Sequence, residues 1–244
     1  MKVICCKNYD EMSAAAARMI EAQIAEKPNC VLGLATGSTP EGMYAELCRS
    51  YKAGKVDFSG VTTVNLDEYC GLPVEHDQSY RYFMNHNLFD HVNVDPARTF
   101  LPDGNAADPE AECARYEKMV AELGYADLQI LGVGRNGHIG FNEPADELIA
   151  DTHVTALTAD TINANSRFFA SEADVPKYAM TMGVGSIMAS RKIVVMASGE
   201  GKREAIAALL GDVIDTNRPV TLLKLHHDVT LICDEAAMPC RCCK

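Results

Sequence analysis

Residues that can transfer protons follow a short apolar run in the middle of the chain. The run, Leu128 to Val133, leads through several glycines into a segment that contains His138 and Glu143. This run of six residues, most of them apolar, is too short for a helix and is typical of a buried strand. In α/β proteins, the groups that bind or transform a ligand lie just beyond the carboxyl ends of strands. The sequence therefore predicts a strand that ends in an acid/base loop.

The glycines of this segment also match a dinucleotide-binding pattern. Gly132, Gly134 and Gly137 have the spacing G-x-G-x-x-G. That motif requires a helix that begins at the third glycine and an acidic residue about 20 positions later. The residues after Gly137 are instead His-Ile-Gly-Phe-Asn-Glu-Pro, which favour a helix poorly. We therefore favour an acid/base loop over a dinucleotide site.

A second group of chemical interest follows another segment, Val61 to Leu66. This segment predicts a strand buried on both sides, and it ends at Asp67-Glu68-Tyr69. An acidic pair is rarely found in a core. Asp67 therefore either caps a turn or faces a cleft as a general base.

The segment from Thr36 to Pro40 has the composition of an anion site. Gly37 allows a close approach of the backbone to a ligand, and Ser38 and Thr39 supply hydroxyls. Pro40 is placed to be the first residue of a helix, whose free N–H groups favour phosphate. An ordinary helix cap made by Ser38 or Thr39 explains the same residues equally well.

Two basic residues are further candidates for phosphate binding. Lys202 lies in the predicted first turn of a helix, where the helix dipole disfavours a cation unless an anion lies between them. Arg167 lies in a polar segment, residues 160–174, which lacks a clear period and could form a flap over the site. The alternative for both is a solvated surface charge.

Strands and helices alternate along the whole chain, without an internal repeat or a low-complexity linker. This alternation predicts one domain of the α/β class, built on a doubly wound, mostly parallel sheet with helices on both faces. We assign residues 1–238 to this domain and residues 239–244 to a cysteine-rich tail.

Composition excludes several classes of function. A net charge of −12 over 244 residues argues against nucleic acid or an anionic membrane as the partner. No apolar run approaches the length of a membrane span, and the amino terminus does not resemble a signal peptide, so we expect a cytoplasmic protein. Five of the ten cysteines are interpreted as small buried apolar residues, namely Cys30, Cys48, Cys70, Cys113 and Cys233. The tail cysteines Cys240, Cys242 and Cys243 lack the spacing of a zinc site, and we expect no metal.

Four segments together resemble the glucosamine-6-phosphate deaminase family, also called glucosamine-6-phosphate isomerase. The most specific is Gly-His-Ile-Gly-Phe-Asn-Glu-Pro, and the similarity runs from about Lys2 to Glu235. The resemblance implies a Rossmann-like fold and a reaction that converts glucosamine 6-phosphate and water to fructose 6-phosphate and ammonia, without a metal or an organic cofactor. The four segments are Thr36 to Pro40, Asn65 to Tyr69, Gly132 to Glu143, and Ala164 to Phe169.

The resemblance also implies a role for each candidate residue. Asp67 is the base that moves a proton from C2 to C1 of the sugar. His138 assists ring opening, with Glu143 and Asn136 orienting it. The residues implied in phosphate binding are Gly37, Ser38, Thr39, Arg167 and Lys202.

Two departures from the family pattern affect these expectations. Many relatives have aspartate where this chain has Asn136, and an amide cannot stabilise an imidazolium by charge, so we expect a different pH profile. N-acetylglucosamine 6-phosphate activates the hexameric relatives. These relatives have basic residues at the positions where this chain has His153 and Thr155, and their carboxyl end is longer. We therefore predict a short, non-allosteric form that can be monomeric.

Three alternatives stay open. A 6-phosphogluconolactonase would bind a sugar phosphate on a similar fold, but it does not need a carbon-acid base such as Asp67. A deaminase for galactosamine 6-phosphate would differ only in contacts to one hydroxyl. A sugar-phosphate sensor would normally have a DNA-binding segment, and the chain has no basic stretch for one.

Overall fold

Helices and strands alternate along the chain of this computed structural model, which describes residues 1–158, 162, 169 and 175–239. The strands are β1 (Lys2–Cys6), β2 (Val31–Leu34), β3 (Thr62–Asn65), β4 (Asp67–Tyr69), β5 (Thr99–Phe100), β6 (Leu128–Gly132), β7 (His153–Ala156), β8 (Tyr178–Thr181), β9 (Ile193–Ala197) and β10 (Val229–Asp234). The α-helices are α1 (Tyr9–Glu26), α2 (Glu41–Lys52), α3 (Tyr80–Asn87), α4 (Pro109–Glu122), α5 (Val184–Met188) and α6 (Arg203–Leu210). Short 3₁₀ turns cover Phe89–His91, Pro96–Arg98, Glu200–Lys202 and Pro219–Leu225.

Seven of the strands form one sheet in the order β1-β10-β9-β6-β2-β3-β5, and every pair is parallel. The central strands are buried along nearly their whole length. This burial on both faces explains why β2 and β9 have no alternation of apolar and polar residues. The prediction of a parallel α/β sheet in a single domain is confirmed.

A second, three-stranded sheet was not predicted. It has the order β4-β8-β7 with antiparallel pairs, and Asp67 pairs with Thr181. The chain leaves the main sheet at Leu66, whose carbonyl accepts a hydrogen bond from Met182 N at 2.7 Å. Because of this change of sheet, Asp67 lies in a strand that stands apart from the core sheet.

The helices are held by local caps and by apolar contacts with the sheet. Asn8 caps α1 by accepting a hydrogen bond from Glu11 N at 2.9 Å. Asp127 accepts hydrogen bonds from Val31 N and from Lys27, both at 2.8 Å, and so fixes the start of β2 beside β6. One large apolar cluster contains residues from all six α-helices and from most strands of the main sheet.

Four adjacent strands of the main sheet end beside one another. In sheet order they are β9, β6, β2 and β3. Because the strands are parallel, the segments that follow them lie at the same edge of the sheet. These segments are residues 198–202 after β9, 133–143 after β6, 36–39 after β2, and Asp67 after β3, so the fold gathers the described candidate residues at one edge.

The predicted domain boundary at residue 238 and the predicted cytoplasmic location stay predictions. The tail cysteines Cys240, Cys242 and Cys243 lie outside the described residues, so the boundary at residue 238 is untested. Within the described ranges, none of the helices has the length and apolar character that crossing a bilayer requires. A cytoplasmic location is an expectation from the sequence alone.

Candidate active site

Asp67 is a buried carboxylate at the start of β4. The residue is only 7% exposed. Burial, and to a lesser extent the neighbouring charge of Glu68, raises the pKa of Asp67 to about 8. The structure places Asp67 in a strand and not in a turn, which leaves the general-base alternative. A carboxylate with a raised pKa is a stronger base than an ordinary aspartate.

Glu68 has a different task from its neighbour. Its carboxylate accepts hydrogen bonds from Tyr69 N at 2.8 Å, Tyr80 N at 2.9 Å and Arg81 N at 2.9 Å. Burial raises the pKa of Glu68, while these three hydrogen bonds oppose the rise. Glu68 therefore joins β4 to the first turn of α3, and of the acidic pair it is Asp67 that is left for chemistry.

The loop after β6 turns tightly at two glycines. Gly134 N donates to His138 O at 2.9 Å, and Gly137 has a φ of +91°. A Cβ on Gly134 would lie 2.4 Å from Cε1 of His138, so only glycine leaves room for the ring. Residues 137–152, all of which the structure describes, contain no helix, and the dinucleotide alternative therefore lacks the helix that it requires.

His138, Glu143 and Asn136 form a connected group within this loop. Nδ1 of His138 lies 3.1 Å from Oε1 of Glu143, which is an ion-pair distance without the alignment of a hydrogen bond. Asn136 donates from Nδ2 to Oε2 of Glu143 at 2.6 Å and accepts from His138 N at 3.1 Å. Asn136 therefore acts on the carboxylate and on the backbone, and not directly on the imidazole.

The loop meets Asp67 at Gly140. A Cβ on Gly140 would lie 2.9 Å from Oγ1 of Thr181 and 3.7 Å from Oδ2 of Asp67. Phe141 N donates to the same Thr181 hydroxyl at 3.1 Å, and Thr181 is the residue that pairs with Asp67. The carboxylate and the imidazole loop, far apart along the chain, therefore share one corner of the molecule.

Aromatic packing and an amide fix this corner. The ring of Phe141 lies 5.8 Å from that of Tyr69 and stacks on that of Tyr80 at 6.1 Å. Asn142 donates from Nδ2 to Ile139 O and Met182 O, both at 2.9 Å. Asn142 therefore holds the loop against the end of β8, a structural role for a residue of the predicted acid/base loop.

The segment after β2 has the features of an open anion site. Gly37 has a φ of +87°, and Ser38 is exposed. Ser38 O accepts a hydrogen bond from the hydroxyl of Tyr9 at 2.8 Å, and that hydroxyl accepts from Gly42 N at 2.8 Å. Helix α2 begins at Glu41 without a side-chain cap. The alternative that Ser38 or Thr39 caps this helix is therefore not observed.

Pro40 is also placed differently from the prediction. It precedes α2 as the cap residue, with a φ of −86° in the right-handed helical region, and is not the first helical residue. Its carbonyl still accepts the first hydrogen bond of the helix, from Tyr44 N at 3.0 Å. The backbone of the segment is therefore already turned toward the helix at Pro40.

Lys202 ends the 3₁₀ turn that precedes α6. Gly199, with a φ of +87°, begins this turn, and Gly199 N donates to both carboxylate oxygens of Asp234 at 3.1 Å. Burial, and secondly the charge of Arg135, lowers the pKa of Lys202. Within the described part of the chain, no carboxylate lies within ion-pair distance of Lys202. Arg167, the other predicted cation, lies outside the described residues.

Sequence reasoning did not single out three residues that shape the site. Thr181 joins Asp67 to the loop, Tyr9 supports the backbone at Ser38, and Arg135 lies beside Lys202. Each acts through a residue distant in the sequence, so neither spacing nor composition indicates the contact. Arg135 alone had a local signal, since it is a cation inside the acid/base loop.

Comparison with known proteins shows the family of the chain. The sequence pattern described as glucosamine-6-phosphate isomerases/6-phosphogluconolactonase matches residues 7–232. The chain belongs to this family. It is 54% identical over 237 residues to a glucosamine-6-phosphate deaminase of Clostridium perfringens strain 13, covering 97% of this chain and 98% of that one. It is 55% identical over 237 residues to a glucosamine-6-phosphate deaminase of Thermoanaerobacter sp. strain X514, covering 97% and 94%.

Two solved structures separate the branches of the family. A monomeric glucosamine-6-phosphate deaminase superposes with a TM-score of 0.94 at 48% identity, covering 97% of this chain and 98% of that one. A 6-phosphogluconolactonase of Trypanosoma brucei superposes with a TM-score of 0.77 at 20% identity, covering 97% of both chains. The lactonase shares the fold, whereas the deaminase shares the fold and about half of the residues.

Proposed function

We propose that the protein is a glucosamine-6-phosphate deaminase, which converts glucosamine 6-phosphate and water to fructose 6-phosphate and ammonia. The observation that carries the proposal is the buried Asp67, with its raised pKa, at the corner that it shares with the His138 loop. The relatives of this name match the chain along nearly its whole length. A 6-phosphogluconolactonase is the weaker candidate, because lactone hydrolysis needs no base at a carbon acid.

The proposed chemistry assigns the carbon-bound proton to Asp67. An aldose-to-ketose shift removes a proton from C2 and returns one to C1, and a single carboxylate can do both if water is excluded. Burial of Asp67 excludes water and keeps its pKa near that of a useful base. After the shift, C2 carries an imine, which water hydrolyses to the ketone and ammonia.

His138 is assigned the protons on oxygen. Opening of the sugar ring needs a proton at the ring oxygen and removal of one from the hydroxyl at C1, which an imidazole can carry in turn. Glu143, 3.1 Å from Nδ1, favours the imidazolium that forms during this transfer. Asn136 keeps Glu143 in place through its hydrogen bond. This indirect action makes Asn136 a positioning residue.

The phosphate is assigned to the segments that follow β2 and β9 at the same edge of the sheet. The backbone at Gly37 and the hydroxyls of Ser38 and Thr39 supply hydrogen bonds, and Lys202 supplies charge. Arg167 stays in the proposed set on the family resemblance alone. Binding energy from this remote phosphate holds the reacting carbons against Asp67.

The protein is proposed to act as a non-allosteric monomer. The structural relative with a TM-score of 0.94 is described as monomeric. At the positions where activated relatives carry cations, Nδ1 of His153 lies 2.9 Å from Asp151 O, and Thr155 has no charge. Without two cations, an acetylated sugar phosphate has no charge-assisted anchor there. Hyperbolic kinetics, unchanged by N-acetylglucosamine 6-phosphate, are expected.

An ammonia-release assay with three substrates tests the function. Glucosamine 6-phosphate should release ammonia and fructose 6-phosphate in equal amounts, galactosamine 6-phosphate should react more slowly, and 6-phosphogluconolactone should hydrolyse at its uncatalysed rate. Faster turnover of galactosamine 6-phosphate would reassign the epimer. Enzymatic lactone hydrolysis without ammonia release from either amino sugar would overturn the proposal.

A further inference from the structure

Arg135 lies against the segment that carries Lys202. A Cβ on Gly201 would lie 3.2 Å from Nε and 3.7 Å from Cζ of Arg135. The guanidinium therefore rests on the backbone of Gly201, one residue before Lys202. Gly201 is the residue that permits this approach, because a larger side chain there would push the guanidinium away.

The contact brings two cations together without an acidic partner from the protein. Glu200, two residues before Lys202, lies 3.4 Å from Arg203 instead. In the described ranges, no carboxylate lies within ion-pair distance of Arg135 or Lys202. The chain has 34 acidic residues and 22 basic ones, so carboxylates are plentiful. Two neighbouring cations without an acidic partner among the described residues indicate a ligand that brings the negative charge.

Resting on the function proposed above, we infer that Arg135 is a second protein cation for the substrate phosphate, acting together with Lys202. A guanidinium can donate two parallel hydrogen bonds to a phosphate, whereas an ammonium acts as a point charge. Arg135 fixes the orientation of the phosphate, and Lys202 supplies charge from a more buried position. Neither the acid/base group nor the implied phosphate set includes Arg135.

This placement also links the two halves of the site. Arg135 is followed directly by Asn136, which donates to Glu143 and accepts from the backbone of His138. A phosphate held by Arg135 therefore contacts the same loop that carries the imidazole. The substrate's phosphate and its ring oxygen are positioned by one short segment, so their separation depends on few bonds.

The inference is tested by Arg135→Met, which removes the charge and keeps an unbranched side chain. Inorganic phosphate, as a competitive inhibitor, reports on the anion site alone. We expect its Ki and the KM for glucosamine 6-phosphate to rise about tenfold or more, with kcat within about threefold, because a hydrogen bond from a charged group is stronger than one between neutral groups. Arg135→Lys should give intermediate values, since it restores charge without the two parallel donors.

Matched variants separate the possible failures. Arg49→Met removes an exposed arginine paired with Glu46 on α2 and should leave Ki and KM unchanged. Unchanged Ki and KM in Arg135→Met, with both raised in Lys202→Met, would overturn the role of Arg135 and leave the proposed function intact. A fall in kcat alone in Arg135→Met would also overturn it, by showing that the residue acts only through the loop. Unchanged values in both variants would overturn the phosphate site itself.

Discussion

The two ends of the proposed site differ in how many of their polar groups have a hydrogen-bond or charge partner within the protein. At one end, which we call the acid–base corner, several polar groups of the loop already contact other groups of the protein. Glu143 lies beside the imidazole and accepts from Asn136, and Phe141 N donates to Thr181. The acid–base corner is Asp67, Asn136, His138 and Glu143.

At the other end, which we call the phosphate edge, the donors are held by their backbone and their side chains are left open. Ser38 is anchored through its carbonyl by Tyr9, while α2 begins without a side-chain cap. Lys202 and Arg135 lie together without an acidic neighbour in the described ranges. The phosphate edge is Gly37, Ser38, Thr39, Arg135 and Lys202.

The difference indicates how the two ends divide the work. Groups that are oriented in advance stabilise the transition state without reorganisation, so their loss should lower kcat. Groups that wait for a ligand contribute binding energy, so their loss should chiefly raise KM. Variants at each end therefore test this division between kcat and KM.

Asp67→Asn should have the largest effect. The amide has nearly the same shape but cannot accept a proton, so kcat should fall by about 10²- to 10⁴-fold, with substrate binding retained. Ammonia release measures kcat, and exchange of deuterium from solvent into C2 reports the proton transfer itself. If exchange at C2 continued in this variant, the base would have to be another residue, and the assignment of Asp67 to the acid–base corner would be wrong.

Thermal unfolding provides the control for folding of Asp67→Asn. The pKa of Asp67 is 3.8 in the unfolded chain and about 8 in the folded protein, so the folded protein binds the proton more tightly. The stability that protonated Asp67 contributes is fully present below pH 3.8 and is lost as the pH rises towards about 8. Asparagine does not titrate. The Tm of the variant should exceed that of the parent at pH 8, and the difference should shrink at pH 4.

Lys202→Met should have the next largest effect, and on the other kinetic constant. Removing the charge should raise KM about tenfold or more and leave kcat within a few-fold, because the acid–base corner is untouched. Initial rates over a range of glucosamine 6-phosphate measure both constants. Lys118→Met, at an exposed position on α4, is the matched control. If only kcat fell, Lys202 would contribute to catalysis and not to substrate binding, and the proposed division between the two ends of the site would be wrong.

Glu143→Gln should lower kcat by a smaller factor, about tenfold. The variant keeps the size of the side chain and removes the negative charge 3.1 Å from Nδ1 of His138, so the imidazolium loses its stabilising neighbour. Steady-state rates measure the change, and Glu147→Gln at an exposed position of the same segment is the control. An unchanged kcat would mean that ring opening does not limit turnover or does not pass through His138.

The sequence predicts the residues of the acid–base corner better than it predicts the contacts that hold the site in place. The strand ending in glycines and the strand ending at Asp67 are local patterns, and their parallel arrangement places both at one edge of the sheet. The three-residue β4 is too short to show a period, and its partner β8 lies far along the chain. The contacts of Tyr9 with Ser38 and of Arg135 with Gly201 likewise join distant segments. Such pairings depend on the folded path of the chain, which no single segment encodes.

The smallest predicted effect concerns the pH dependence of the acid–base corner. Burial is the main cause of the raised pKa of Asp67, and the charge of Glu68 is the second. Glu68→Gln removes that charge and should lower the pKa of Asp67. The acid limb of kcat/KM, expected near pH 8 in the parent, should therefore move to lower pH by less than about one unit.

Profiles of the parent and of Glu68→Gln measured with the same substrate make this comparison directly, because titration of the substrate's own amine affects both equally. The variant also leaves one of the three backbone donors, Arg81 N, facing an amide nitrogen, so a loss of stability of about 1–3 kcal/mol should accompany the shift. A limb that stays in place despite this destabilisation would show that burial alone sets the pKa of Asp67. Glu68 would then only hold β4 to α3, and the acid–base corner would owe its basicity to the exclusion of water.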